Sequence, residues 1–206
     1  MLCRDRLMAG AQYTDLFKSE DTFECAVKYS NGLKQAAAIL GPEEEGEREL
    51  KTEVFWGPSG TGKTQAAFLR DPDLYQLAVP NSDQGSLWFD HYAGQKTLLI
   101  DEFQGWIGFP FLKKLCDPWY PQKTLPQKHS SAPSRLTSIL ICSNYHPFRW
   151  YNRLTIGHLK ELTRRIHRAW RCTETTFEMV DLEAQRLECE RAFGADKELP
   201  YQYTCD

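Results

Sequence analysis

A glycine-rich segment at residues 57–64 has the clearest chemistry in the sequence. It fits the phosphate-binding pattern G-x-x-x-x-G-K-[ST] in full. Its residues are Gly57, Pro58, Ser59, Gly60, Thr61, Gly62, Lys63 and Thr64. Such a loop wraps phosphate oxygens with backbone N–H groups, with Lys63 reaching the β- and γ-phosphates and the Thr64 hydroxyl binding Mg²⁺. The pattern predicts a site for ATP or GTP, because a Lys-Thr pair has no folding role in a plain glycine turn.

Two carboxylates follow a short apolar run, Leu98-Leu99-Ile100, which is typical of a buried parallel strand. We expect Asp101 to hold Mg²⁺ through its water shell and Glu102 to orient or deprotonate the attacking water. An apolar run followed by Asp-Glu is common and means little by itself. After a complete phosphate loop, however, the same residues indicate an acidic strand that serves the nucleotide site.

Ser143 and Asn144 follow another apolar run, Ile139-Leu140-Ile141-Cys142. If this run is a strand beside the other two, the amide points into the same crevice and can hydrogen-bond the γ-phosphate or the attacking water. The alternative is an asparagine in a turn before Pro147. The sequence alone leaves both interpretations open.

Alternating strands and helices must position these residues. The sequence predicts strands at 52–56, 97–100, 136–142 and 166–172, and helices at 63–69, 109–116 and 157–164. This alternation indicates an α/β fold in three layers, with the chemistry at the carboxyl ends of parallel strands.

The predicted core is residues 51–172, and three segments flank it. Residues 1–21 lack a hydrophobic period and are expected to be an irregular lead-in. Residues 22–50 contain a helical pattern over Thr22–Leu40 and an acidic linker. Residues 173–206 form an acidic tail in which Asp181 to Phe193 can make an amphipathic helix.

Charge is distributed unevenly along the chain. Residues 121–171 contain 10 Lys and Arg and one acid, Glu161, whereas the remaining residues are acidic on balance. A basic block between acidic flanks favours a polyanion-binding face, although chance clustering on a solvated surface is the simpler alternative.

Cysteine usage and hydropathy exclude several classes of protein. The seven cysteines include no Cys-x-x-Cys pair, which argues against a disulfide framework and a zinc site and favours a reducing, intracellular compartment. No apolar run approaches the roughly 20 residues that span a bilayer, so we expect no membrane segment.

Four segments form a recognisable series along the chain: VFWGP at 54–58, WFDHYAG at 88–94, IDEFQGW at 100–106 and SILICSN at 138–144. Together they resemble the superfamily 3 helicases, and more narrowly the replication-initiator (Rep) proteins of circoviruses and related small circular single-stranded DNA viruses. The resemblance covers residues 28–172. It implies a P-loop NTPase (AAA+-like) core that uses ATP and Mg²⁺ to move along single-stranded DNA during viral replication, in the host nucleus.

The resemblance also implies a hairpin that lines a central pore. There Lys123, Lys128 and His129 would hold the phosphate backbone without reading sequence. Helix Thr22–Leu40 is similar to the family's oligomerisation segment, which implies a ring of identical subunits, expected to be a hexamer. Arg165 would then be the finger that reaches a neighbouring subunit's ATP. Each feature has a simpler alternative: a polar loop, a helix packed on its own domain and a surface arginine.

Three departures from the family pattern stand in this sequence. The family's nuclease domain carries a His-hydrophobe-His metal site, and no His-x-His occurs here. We therefore expect the motor part without nicking activity. Asp101-Glu102-Phe103 stands where many members have Asp-Asp-Phe, and Lys128-His129-Ser130 stands where many have Lys-Gly-Gly. The first change should keep the chemistry, and the second changes the residues that follow the lysine of the DNA-contact segment.

Two rival functions use the same core. One is a nucleotide-dependent assembly factor that binds DNA without unwinding it. The other is a superfamily 3 helicase that acts on RNA. Stimulation of ATP hydrolysis by DNA or by RNA, together with strand displacement, separates these functions.

Overall fold

The computed structural model describes residues 2–9, 11, 13–30, 32, 33, 36, 50–79, 87–117, 124–128 and 130–198. The chain divides into two compact units. The first unit is Met1–Glu47, Pro80–Gly94 and Pro121–Arg135. The second unit is Arg48–Val79, Gln95–Tyr120 and Leu136–Asp206.

The strands and helices are numbered in chain order. The strands are β1 (Lys51–Trp56), β2 (Tyr75–Gln76), β3 (Thr97–Ile100), β4 (Thr124–Gln127), β5 (Ser130–Pro133), β6 (Ser138–Ser143), β7 (Arg168–Cys172) and β8 (Phe177–Val180). The α-helices are α1 (Leu2–Met8), α2 (Glu20–Lys28), α3 (Lys63–Arg70), α4 (Phe109–Leu115), α5 (Ile156–Thr163) and α6 (Leu182–Phe193). Short 3-10 helices lie at Tyr13–Phe17 and Pro147–Arg149.

The second unit is built around a six-stranded sheet with the order β2-β3-β6-β1-β7-β8. All neighbouring strands are parallel except β7 and β8, which are antiparallel. β6 therefore lies between β1 and β3. Because carboxyl ends of parallel strands meet at one edge, the residues that follow β1, β3 and β6 lie side by side.

Apolar burial explains why these segments form a sheet with helices on both faces. All four residues of β3 are buried. On one face Phe55, Leu99 and Leu140 pack with Ala67 of α3 in a single core cluster. Side chains alternate along a strand, so Trp56 points to the opposite face. There its ring contacts His146, which hydrogen-bonds Gln185 of α6.

The structure confirms the predicted α/β class and the predicted strands and helices of the core, with bounds that shift by one or two residues. β2 and β8 were not predicted, since a two-residue strand and an edge strand with exposed Phe177 and Met179 give weak patterns. The predicted tail helix is present as α6, and Asp181 caps it by accepting hydrogen bonds from the N–H groups of Glu183 and Ala184 at 3.0 Å.

Residues 1–21 are not an irregular lead-in, and that expectation was wrong. α1 forms there because Cys3 and Leu7, one helical turn apart, are buried with Leu16 and Ala26. The helix predicted from Thr22 begins earlier, at Glu20, and α2 ends at Lys28. Most of the remaining predicted helix, to Leu40, lies outside the described residues.

The first unit also contains an antiparallel hairpin formed by β4 and β5. Gln127 anchors it by donating from Nε2 to the carbonyl oxygens of Phe89 at 2.8 Å and Tyr92 at 3.1 Å. The backbone N–H of Lys128 donates to Asp90 Oδ1 at 2.7 Å. The hairpin is thus fixed to the preceding segment at its turn.

Within the described ranges, no helix is long and apolar enough to cross a membrane.

Candidate active site

The glycine-rich loop leaves β1 after Trp56 and enters α3 at Lys63. Gly57 has a φ of +148°, and a Cβ there would lie 2.0 Å from the carbonyl oxygen of Cys172. Gly62 caps α3 in the left-handed region with a φ of +84°. Both positions therefore require glycine, one for close packing and one for its backbone angle.

Lys63 lies inside this loop, with 7% of its surface exposed. Its Nζ donates to the carbonyl oxygens of Gly57 at 2.8 Å and Pro58 at 2.6 Å. Thr61 Oγ1 also donates to Pro58 O, at 3.0 Å. Both partners of Lys63 are neutral carbonyl oxygens, in a loop whose glycines suit phosphate binding.

Thr64 and Asp101 meet, as the sequence predicts. Thr64 Oγ1 donates to both carboxylate oxygens of Asp101, at 3.2 Å each. The backbone N–H of Glu102 donates to Asp101 Oδ1 at 2.9 Å, which orients the carboxylate. One hydroxyl and one carboxylate are hard oxygen ligands, and Mg²⁺ is commonly bound by few protein oxygens together with waters and substrate phosphates. The donor set therefore fits Mg²⁺.

Glu102 and Asn144 also meet, although they are far apart in sequence. Asn144 Nδ2 donates to Glu102 Oε2 at 3.1 Å. Glu102 has a φ of +48°, which is uncommon for a residue other than glycine. Trp106 Nε1 donates to the Glu102 carbonyl oxygen at 3.2 Å and supports this turn. The sequence alone did not single out Trp106 as a support for Glu102.

Asp101 and Glu102 border a cleft of about 350 Å³ in the second unit. The opposite wall is Gln76, Leu77, Ala78 and Val79, the residues at the end of β2 and just after it. The two proposed acidic groups are therefore accessible to a ligand.

The side chains of Cys142, Cys172 and His146 lie near these residues but carry no charge at neutral pH. Burial raises the pKa of the Cys142 thiol, with the Asp101 carboxylate adding to the effect. Burial raises the pKa of Cys172 to about 11. Burial lowers the pKa of His146 to about 4. At neutral pH both thiols are therefore protonated and the imidazole is neutral.

Ser143 links the segments that carry these groups, and the sequence analysis gave it no role. Its Oγ donates to the Phe103 carbonyl oxygen at 2.7 Å, and its own carbonyl oxygen accepts from the Gly57 N–H at 3.2 Å. A serine at the end of an apolar strand is a common feature, so no sequence signal distinguished it.

Arg165 is bound by groups of its own chain, whereas a finger acting in trans must reach a neighbouring subunit. Its side chain is 10% exposed and forms an ion pair with Asp117. Nε donates to Lys113 O at 2.9 Å and Nη1 donates to Glu161 O at 2.8 Å. The guanidinium holds the C-terminal carbonyls of α4 and α5 within its own chain. The finger role of Arg165 stays a prediction, and the adjacent Arg164 is exposed.

Of the three predicted DNA-contact residues, the structure describes Lys128. It is exposed and follows β4 at the turn of the hairpin. Lys123 and His129 lie outside the described residues. The hairpin itself, which the resemblance implied, is present.

Comparison with known proteins shows similarity over about two thirds of the chain. The replication-associated protein of Porcine circovirus 2 is 33% identical over 141 residues, which are 68% of this chain and 43% of that protein. The replication-associated protein of Canary circovirus is 34% identical over 146 residues, covering 69% and 46%. That of Beak and feather disease virus is 32% identical over 149 residues, covering 71% and 47%.

The chain spans less than half the length of these curated relatives. No protein-family model matches the sequence. The sequence is thus similar, over about two thirds of its length, to replication-associated proteins of circoviruses.

Proposed function

We propose that this chain is an ATP-dependent motor on single-stranded DNA, the superfamily 3 helicase part of a circovirus-like replication-associated protein, acting in replication of a small circular single-stranded DNA genome. The observation that carries the proposal is the meeting of Lys63, Thr64, Asp101, Glu102 and Asn144 at the carboxyl ends of three adjacent parallel strands. The names of the similar proteins support the role in replication.

Phosphate binding follows from the glycine-rich loop. Backbone N–H groups of residues 57–64 and the N-terminus of α3 surround the β- and γ-phosphates of ATP. Lys63 exchanges its two carbonyl partners for phosphate oxygens. Thr64 and Asp101 would hold Mg²⁺, which neutralises charge on the same phosphates when it is bound.

Hydrolysis follows from the Glu102–Asn144 pair. Glu102 accepts a proton from a water whose oxygen bonds to the γ-phosphorus, while the bond to the bridging oxygen breaks and ADP leaves. Asn144 orients this water or the γ-phosphate through its amide. The hydrogen bond at 3.1 Å holds the Asn144 amide beside the Glu102 carboxylate.

Contact with DNA is assigned to the turn of the β4–β5 hairpin. Lys128 is exposed there, and Lys123 and His129 are its neighbours in sequence. Their contacts with phosphates carry no sequence information, which suits a motor that must release and bind again at each step.

Assembly into a ring, expected to be a hexamer, is assigned to α2. Phe23 and Val27 lie one helical turn apart with 51% and 55% of their surfaces exposed, while Thr22 and Ala26 face the interior. An apolar stripe on this helix suits contact with a second copy of the chain. Since Arg165 is held within its own chain, we assign the finger to Arg164.

ATP hydrolysis by the full chain tests the proposal, measured with Mg²⁺ alone, with single-stranded DNA and with single-stranded RNA. We expect Mg²⁺-dependent turnover that DNA stimulates more than RNA, together with displacement of a paired strand. Absence of turnover contradicts the enzymatic assignment. Turnover without strand displacement would favour the assembly factor, and stronger stimulation by RNA would favour an RNA-directed helicase.

A further inference from the structure

Ser143 is the last residue of β6, and 1% of its surface is exposed. We propose that its hydroxyl is a positioning group that fixes the turn carrying Glu102 against Asn144 and the glycine-rich loop. This inference rests on the proposed ATP hydrolysis and adds to it a residue that touches neither phosphate nor water.

The hydroxyl uses its full hydrogen-bonding capacity. Its oxygen accepts from the Tyr145 N–H at 3.0 Å and from Trp150 Nε1 at 3.0 Å. A serine hydroxyl has one proton and two lone pairs. Because the two N–H donors occupy the lone pairs, the proton must go to the remaining partner, Phe103 O, at 2.7 Å. The direction of the donated bond is therefore fixed.

The partners of this hydroxyl are the residues next to the proposed catalytic pair. Phe103 follows Glu102, and Tyr145 follows Asn144. Phe103 is also held from its other side, since its N–H donates to Cys142 O at 2.9 Å. The backbone of Glu102 lies in the unfavourable left-handed region, and such a conformation persists when the surrounding bonds define it. The Ser143 hydroxyl supplies one of those bonds.

The same residue reaches the phosphate loop through its backbone. The N–H of Gly57 donates to Ser143 O at 3.2 Å. Trp150 completes the arrangement, because its ring packs edge-on against Phe103 at a centroid distance of 4.8 Å while its Nε1 bonds Ser143. One residue thereby links the loop that binds phosphate, the turn that carries the base and the amide that orients water.

A purely structural hydroxyl and a positioning hydroxyl give different results when they are removed. Ser143→Ala leaves the Phe103 carbonyl without its donor, which lowers stability under either interpretation. If the hydroxyl positions Glu102, kcat for ATP also falls about tenfold or more while KM stays within about twofold, because small misplacement of reacting groups affects the chemical step. Ser138→Ala is the matched control: it lies at the start of β6, and the described residues show no hydrogen bond to its side chain.

Two further variants assign any loss to the hydroxyl. Ser143→Thr keeps the O–H group and should recover most of kcat. Trp150→Phe keeps an aromatic ring against Phe103 but removes the N–H, so it should lower kcat less than Ser143→Ala and add nothing in the Ser143→Ala background. A Ser143→Ala protein with kcat within twofold of the parental value overturns the proposal. The proposal is also overturned if the folded Ser143→Ala, Trp150→Phe double variant loses kcat by the product of the two single-variant losses.

Hydrogen exchange of the same proteins separates this inference from the proposed function. Ser143→Ala should speed amide exchange at residues 102–105 relative to Ser138→Ala, at a temperature well below both melting transitions. If the parental chain does not hydrolyse ATP but this exchange increases, the proposed function fails and the positioning role stands. If exchange at residues 102–105 is unchanged, the positioning role fails whatever the ATPase result.

Discussion

The glycine-rich loop and the turn between α5 and β7 each bury a cation to nearly the same degree. Lys63 is 7% exposed and Arg165 is 8% exposed. Lys63 donates to two loop carbonyls, and in the part of the chain that the structure describes it has no carboxylate within ion-pair distance. Arg165 pairs with Asp117 and bonds two helix-end carbonyls.

The difference shows which of the two buried cations can bind an anionic ligand. Neutral carbonyl partners leave the charge of Lys63 uncompensated, and phosphate oxygens can replace them. The carboxylate of Asp117 compensates the charge of Arg165, and breaking a partly buried ion pair is costly. Burial alone therefore does not identify a functional cation, whereas the charge of its partners does.

The largest expected effect is that of Lys63→Ala. We expect ATP turnover to fall more than about 10³-fold, to the limit of detection, because the developing charge on the phosphates loses the only cation that the glycine-rich loop supplies. The fold should be retained, since the partners of Lys63 are loop carbonyls. Steady-state hydrolysis and a thermal melt measure both properties, with Lys96→Ala, an exposed lysine in the same unit, as the control. Turnover near the parental rate would refute the assignment of the loop.

Arg164→Ala should lower ATP turnover about 10³-fold without loss of stability, if an arginine acts across a subunit interface. Its test mixes two inactive variants, Lys63→Ala and Arg164→Ala. In a mixed ring some sites pair a parental loop with a parental arginine, so part of the activity should return. Lack of rescue in an oligomer that demonstrably exchanges subunits would place the arginine elsewhere, and Arg168 would be examined next.

Glu102→Gln should lower turnover about 100-fold or more while nucleotide affinity stays near the parental value. The amide keeps the shape of the side chain and removes the base. Binding of a fluorescent ATP analogue, measured beside hydrolysis, separates the two properties. A parallel loss of affinity in a folded protein would indicate that Glu102 holds the site together and does not act on water.

Arg165→Ala should destabilise the chain by about 2 to 3 kcal/mol, because it removes a partly buried ion pair with Asp117 and the donors to two helix-end carbonyls that are partly shielded from water. Arg165→Lys keeps the positive charge but not the planar guanidinium with its several N–H donors. It should lower the free energy of unfolding less than Arg165→Ala does. Chemical denaturation of both variants beside Arg164→Ala measures the difference. If Arg165→Ala is as stable as the parent yet inactive, Arg165 returns as the candidate for the finger.

The core of the site could be predicted because its residues are fixed by local patterns. The glycine-rich loop needs glycine at 57 and 62 for steric reasons, and Asp101 and Asn144 end apolar strands whose burial fixes their direction. Parallel pairing then brings the strand ends together.

The remaining features depend on contacts that no local pattern records. α1 was missed because it is stabilised by packing on Leu16 and Ala26 rather than by an amphipathic run. The partners of Arg165 come from α4 and α5, and those of Ser143 come from three separate loops. Neither set is visible in the spacing of residues along the chain.

The smallest expected effect is that of Lys128→Ala, at the turn of the β4–β5 hairpin. The Lys128 side chain is exposed, and the residue is held through its backbone N–H. The Lys128 N–H donates to Asp90, which fixes the turn without using the ammonium. Lys128→Ala should therefore leave the hairpin and the basal ATPase unchanged.

Each phosphate contact that is lost should lower the slope of log affinity against log salt by about 0.7 on single-stranded DNA. Lys128→Ala combined with His129→Ala should lower it further if both contact phosphates. Fluorescence anisotropy of a labelled oligonucleotide at several salt concentrations measures the slope, with Lys96→Ala as the control. A slope equal to the parental value in the double variant would remove this turn from the path of the DNA.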